Sequence, residues 1–264
     1  MTFDDSALRT PFETAGSHER TNIRDMVLDT YGNAARMREP ARILARNYTV
    51  GHSTDPIDTA CRNTSGLGCG EPTALAALQP GETVLDLGSG PGFDCLVAAL
   101  CVGSRGRVVG IDVTPEMVRL ACRNATDAGL RTVSFLLGEI ERLPLRENVF
   151  DVAISNCVIN LCPDKTRVLS EVHRVLRHGG RLAVADIVAL APLPREIADD
   201  LAFYAGCVAG AVTVDELSVA LHKAGFKSVR IVIRDESEKL ISSWATGHGL
   251  ERFVAAVNVT ATKC

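Results

Sequence analysis

Between residues 83 and 188 the hydrophobic pattern keeps changing period, short β-rich runs giving way to segments whose apolar positions recur at helical spacing. Thr83 to Leu87 reads as a strand, Asp94 to Leu100 as a helix, Arg107 to Asp112 as a strand, Pro115 to Ala128 as a helix and Val133 to Leu137 as a strand. Phe150 to Ser155, Lys165 to Leu176 and Arg181 to Val188 continue the alternation as strand, helix and strand. Consecutive strands separated by helices need crossover connections, so this order predicts an α/β fold, a doubly wound and mostly parallel sheet with helices on both faces. Upstream, Ile23, Met26, Val27 and Tyr31 share one helical face, and Pro72 opens a short helix through Leu78 at a position that suits proline. Downstream, Arg195 to Gly206 and Thr213 to Ala224 predict helices, the second closed by Gly225, and Val229 to Ile233 predicts a strand.

The stretch from Pro40 to Gly70 breaks this regularity with polar and glycine residues and reads as a functional loop or lid. Three parts follow: an N-terminal helical and loop segment over 1–75, a cofactor domain over 76–190, and a small α+β C-terminal region over 191–264 that completes the substrate site. The formal net charge of -4 offers no basic footprint, so nucleic acid is not an expected partner. No apolar run approaches the roughly 20 residues of a membrane helix, and Met1 to Arg20 lacks the order of a secretion signal; a cytoplasmic protein without a membrane partner is expected.

Nine cysteines change the picture. An odd number scattered through a large domain is a poor disulfide framework, and no closely spaced pair suggests zinc. Cys95, Cys101 and Cys122 lie in or beside helices that cover the sheet and are expected as core fillers; Cys162 is read as structural, and Cys264 is a chain-end thiol without a role. No pair of histidines has ligand spacing.

The chemistry begins where Val84-Leu85-Asp86-Leu87 runs into Gly88-Ser89-Gly90-Pro91-Gly92. Glycines turn the chain sharply and let a ligand approach the backbone, and Asp86 is expected to end the strand where its carboxylate reaches that ligand. The spacing is not the GxGxxG of dinucleotide folds. It resembles motif I of the class I, Rossmann-like methyltransferases that use S-adenosylmethionine. In such a fold Asp112, ending the next strand, accepts from the cofactor ribose, with Val113 and Met117 beside it. Gly138-Glu139-Ile140 would lie along the adenine, and Asn156 completes the expected cofactor set of Asp86, Gly88, Ser89, Gly90, Gly92, Asp112, Val113, Met117, Glu139, Ile140 and Asn156.

At the acceptor end of this fold the chain places a thiol, Cys157, in Ser155-Asn156-Cys157-Val158-Ile159-Asn160-Leu161. Cys69, in Gly66-Leu67-Gly68-Cys69-Gly70, and Cys207, in Tyr204-Ala205-Gly206-Cys207-Val208-Ala209-Gly210, are likewise flanked by small residues. Thiols suit a soft, thiophilic substrate. Over nearly its whole length the chain resembles the arsenite methyltransferase family, through residues 66–75, 88–95, 114–117, 138–141, 155–161 and 207–211 and a C-terminal stretch from Trp244 to Val254. The resemblance implies that Cys69, Cys157 and Cys207 are the catalytic residues and bind trivalent arsenic, the substrate. It also implies a thiol reductant, thioredoxin or glutathione, as co-substrate. Family members carry a further N-terminal cysteine after the Tyr-Gly matched by Tyr31-Gly32. Residues 33–60 contain none, and Cys61 stands at a different spacing from Cys69.

Two other readings share the cofactor half. One is a methyltransferase for a small carbon, oxygen or nitrogen nucleophile, which needs a base or an aromatic pocket rather than gathered thiols. The other is a non-catalytic sensor that binds S-adenosylmethionine or arsenic and transfers nothing.

Overall fold

The computed structural model describes residues 17–36, 69–200, 203–204, 206–244 and 249–264. The expected lid over 40–70 therefore falls outside the described residues except for Cys69 and Gly70, and so does Cys61.

Helix α1 (Ser17–Arg36) is followed by the short α2 (Pro72–Leu75), strand β1 (Thr83–Leu87), α3 (Phe93–Val102), β2 (Arg107–Asp112), α4 (Pro115–Asp127) and β3 (Val133–Leu137). Then come β4 (Phe150–Asn156), a 3-10 turn at Ile159–Leu161, α5 (Lys165–Val175), β5 (Leu176–Ala189), α6 (Arg195–Ala198), α7 (Val214–Lys223) and β6 (Lys227–Ile233). Helix α8 (Ser237–Trp244), a second 3-10 turn and β7 (Val254–Thr262) close the chain.

The seven strands form one sheet in the order β3-β2-β1-β4-β5-β7-β6. β1 pairs in parallel with β2 on one side and β4 on the other, so the strand order reverses there and leaves a crevice at their carboxyl ends. Side-chain alternation sends Val84 and Leu85 to opposite faces. Val84, Val108, Val152 and Ile154 pack under α3 with Cys95, Ala98 and Ala99. On the other face Leu85, Leu87, Ile111 and Val184 meet Val168, Val172 and Leu221 of α5 and α7.

Local chemistry sets the helix ends near the crevice. α4 starts with Pro115 behind an extended Thr114 and buries Met117, Leu120, Ala121, Asn124 and Ala125, a stripe at helical spacing. Asp164 caps α5 by accepting from Arg167 N, and Thr213 with Glu216 forms a capping box on α7.

The C-terminal part departs from expectation in two places. β7 inserts antiparallel between β5 and β6, a strand the sequence pattern did not announce, so residues 191–264 extend the same sheet. The helix expected over 195–206 stops at Ala198 because Asp200 intervenes: its carboxylate accepts from Phe203 N, and Tyr204 N bonds its carbonyl, starting a new turn. Among the described residues no helix is long and apolar enough to cross a membrane.

Candidate active site

The glycine loop after β1 is held by backbone bonds from Ser89 N to Ile111 O (2.9 Å) and Gly92 N to Ser89 O (2.9 Å). Gly88, at φ 66°, has Val158 so close that any Cβ would collide with it. Asp112 locks loop and strand together, its Oδ2 accepting from Gly90 N (2.9 Å) and its Oδ1 from Thr114 N (2.8 Å). Burial raises its pKa while those N–H groups pull the other way.

Asp86 lies elsewhere than expected. Leu87 ends β1, and alternation turns Asp86 to the α3 face, 2% exposed, where it accepts from the Cys95 thiol (3.1 Å). Burial pushes this carboxyl well above its ordinary range, and the charge of Asp94 adds to the effect. Asp94, in the first turn of α3, is raised to about 6, by burial first and against a hydrogen bond from Asn156. Asp94 and Asp112 both act on the buried Asp86, so carboxyl groups gather near this edge, an environment suited to a cation and not to a pyrophosphate. Two buried oxygens there have no hydrogen-bond partner, Ser89 Oγ and Asn156 Oδ1. Acidic groups, orphaned oxygens and the open space at Gly90 fit S-adenosylmethionine, whose sulfonium and ammonium are positive.

Helix α1 roofs this edge. Its Arg24 pairs with Glu139, its Tyr31 and Ala34 pack on Met117, and Met26, Val27 and Tyr31 lie with Val113, Leu161, Cys157, Tyr204 and Cys207. Ile140 is buried in the core beneath.

The three cysteines, distant in sequence, come together. Cys69 and Cys157 are joined as a disulfide with Cα atoms 5.8 Å apart, and Cys207 Sγ lies within 4.8 Å of Cys157 Sγ. The Cys207 thiol donates to Cys157 O (2.6 Å). Cys157 and Cys207 both adopt left-handed backbone, φ 54° and 64°. Cys207 closes the turn that Asp200 begins: Cys207 N bonds Tyr204 O and Val208 N bonds Phe203 O, the pattern that ends a helix through a residue normally glycine. A side chain at such a position costs about 1–2 kcal/mol, and strain of this kind gathers at functional sites.

Sequence reasoning passed over several groups here. Asp186, 4% exposed, puts a carboxylate oxygen within 4.8 Å of both Cys157 Sγ and Cys207 Sγ. Burial raises its pKa to about 7, against the Ile187 N–H and Lys165. Asn160 Nδ2 ties Asp186 Oδ1 (3.0 Å) and Ile187 O (2.7 Å) to the Cys207 carbonyl (3.3 Å). Lys165, 6% exposed, donates to Cys162 O (3.1 Å) and lines a small cavity with Asn160 and Asp186. A lone carboxylate in the otherwise apolar run 182–189 was the available signal. Burial pushes the Tyr31 phenol pKa up, and the nearby Cys207, Asp112 and Asp186 add to the effect. Of the remaining cysteines, Cys95 and Cys162 are buried, Cys101 is half-buried and Cys122 is exposed on α4, a correction to its expected place in the core.

Residues 78–225 match the family model described as methyltransferase domain. An arsenite methyltransferase of Halobacterium salinarum is 46% identical over 215 residues, covering 81% of this chain and 55% of that protein. The arsenite methyltransferase of Mus musculus is 40% identical over 238 residues, 84% of this chain and 62% of the relative. Among solved structures, an arsenic (III) S-adenosylmethionine methyltransferase from Chlamydomonas reinhardtii superposes with TM-score 0.63 at 30% identity, over 86% of this chain and 75% of that one. The chain belongs to the arsenite methyltransferase family. It spans little more than half the length of the curated relatives it matches. As an arsenite methyltransferase family member it carries both halves of the edge described above, the glycine loop with Asp112 and the gathered thiols.

Proposed function

We propose that this chain uses S-adenosylmethionine to methylate trivalent arsenic in arsenic detoxification, arsenite held by Cys69, Cys157 and Cys207, or methylarsenite, with one fewer exchangeable position, held by Cys157 and Cys207. The meeting of these three sulfurs beside the carboxyl ends of β1 and β4 carries the reading. Burial pushes the Cys207 thiol well above its ordinary pKa, so Cys207 rests as a thiol beside the Cys69–Cys157 pair. Each As–S bond forms as an As–O bond breaks, the thiol proton leaving with the hydroxide as water. Arsenic bound to three sulfurs is pyramidal and keeps a lone pair.

When bound, the cofactor supplies an electrophilic methyl group on a sulfonium. Asp112 and the 88–92 loop would hold and orient it, Val113 and Met117 would flank it, and Glu139 with the backbone at Ile140 would lie along its far end. The chain contributes alignment of lone pair and methyl, an effect that can supply about 7–11 kcal/mol of barrier in well-oriented reactions. Tyr31 and α1 cover both groups and exclude water. Each transfer oxidises arsenic by two electrons. Thioredoxin or glutathione returns them, and reduction of the Cys69–Cys157 pair is needed before three thiols are free for substrate. The reducing cytoplasm suits such a site.

Incubation with labelled S-adenosylmethionine, a thiol and either arsenite or methylarsenite tests the reading. Labelled methylated arsenicals are expected. Arsenic binding without label transfer would make the protein a sensor, and label on a carbon, oxygen or nitrogen acceptor alone would move it to another methyltransferase class.

A further inference from the structure

Asn156 stands between the two halves of the edge. Its Nδ2 donates to Gly70 O (2.9 Å) and to Asp94 Oδ2 (3.1 Å). Two acceptors fix the orientation of the amide, because turning it over would set its oxygen against both. The amide oxygen is then committed to the other side, buried and without a partner. A buried carbonyl oxygen left unpaired is costly, so this atom awaits a donor. Asp94, which accepts from the same amide, has its carboxyl raised to about 6, by burial first and against the Asn156 hydrogen bond. An unpaired oxygen next to a carboxylate describes a place for a cationic donor.

Gly70 is the residue after Cys69, and Cys69 O is itself held by Arg234 from the end of β6. The segment bearing the first thiol is thus pinned from two directions, once by a guanidinium and once by the amide that faces the cofactor edge.

We propose that Asn156 and Asp94 are positioning residues that couple the cofactor and arsenic sites. The methionine ammonium donates to Asn156 Oδ1 and Asp94, and the completed network holds Gly70, and with it Cys69, in place for a three-thiol substrate. This rests on the arsenic reading above. Coupling between sites is reciprocal, so the amino-acid end of the cofactor tightens arsenite and arsenite tightens the cofactor.

The test measures arsenite affinity calorimetrically on the fully reduced protein, with and without two non-reactive ligands. S-adenosylhomocysteine retains the ammonium, and 5′-methylthioadenosine lacks the amino-acid part. S-adenosylhomocysteine is expected to tighten arsenite about tenfold, within the usual range of coupling, and methylthioadenosine to leave it unchanged. The gain should vanish in Asn156→Ala and shrink in Asp94→Asn, each checked for native circular dichroism. Equal effects of the two nucleosides on the unmodified protein, or a full gain surviving in Asn156→Ala, would overturn the coupling. If arsenite fails to bind the reduced protein at all, the arsenic reading falls and this inference with it.

Discussion

The cofactor edge and the thiol pocket share a backbone conformation but pay for it differently. Gly88, Gly90 and Gly92 take left-handed φ of 66°, 51° and 90° where glycine does so freely. Cys157 and Cys207 take 54° and 64° with side chains that resist it. The cofactor loop and Asp112 lie within 27 residues of chain, from 86 to 112, whereas Cys69 and Cys157 are 88 residues apart and Cys157 and Cys207 are 50 apart. One region is encoded locally and relaxed; the other is assembled by the sheet and held under strain. Ala77, Asn148 and Ser228 share such backbone elsewhere, so the strain points to the two cysteines only together with their neighbouring sulfurs.

The largest effects should separate the two regions by function. Cys157→Ser and Cys207→Ser are expected to lower arsenic methylation by more than about a hundredfold, since the substrate loses its alignment. Binding of S-adenosylmethionine, followed by calorimetry, should stay nearly unchanged in both. Normal turnover of methylarsenite by either variant would erase the distinction. Asp112→Ala should do the reverse, weakening the cofactor roughly tenfold or more through lost hydrogen bonds to a charged acceptor while leaving arsenite binding in place. An unchanged cofactor dissociation constant would remove Asp112 from the ribose.

A smaller effect sharpens the argument from strain. In most helices glycine is less stable than alanine, but at Cys207 the order should invert. Cys207→Gly is expected to exceed Cys207→Ala by about 1 kcal/mol in denaturant unfolding, although both lose arsenic methylation. Alanine more stable than glycine there would show the turn to be unstrained.

A pH dependence tests the carboxylate beside the thiols. Asp186 has its pKa raised by burial to about 7, from an ordinary value of 3.8. Between those values the folded protein binds the extra proton, so this group makes stability fall as pH rises from about 4 to 7. Asp186→Asn should flatten that part of the profile measured by thermal unfolding. An identical slope would mean that Asp186 is already ionised in the fold, balanced by Lys165.

Much of this was legible in the chain. β1, β2 and β3 occupy the expected residues, because each is a short apolar run bounded by turn residues, and the capped helices α4 and α7 begin and end within a residue of expectation. Asp86 was misplaced since motif spacing fixes the position along the strand but not which face the side chain takes. β7 escaped notice because its insertion between β5 and β6 depends on tertiary pairing, and its alanines, Ala255 and Ala256, weaken the β signal. The helix expected over 195–206 was broken by the hydrogen-bonding of Asp200, a competition that periodicity does not weigh. Asp186 and Lys165 were missed for a related reason: each is a single polar residue on an otherwise apolar face, and only packing brings them to the thiols.

The central claim is that one arsenic atom engages all three cysteines. Titration of the fully reduced protein with arsenite, counting the thiols that remain reactive, tests it most directly. Three thiols should be protected per arsenic, and two when Cys69, Cys157 or Cys207 is replaced singly by serine. Protection of fewer than three in the unmodified protein, or a count indifferent to the loss of Cys207, would contradict it.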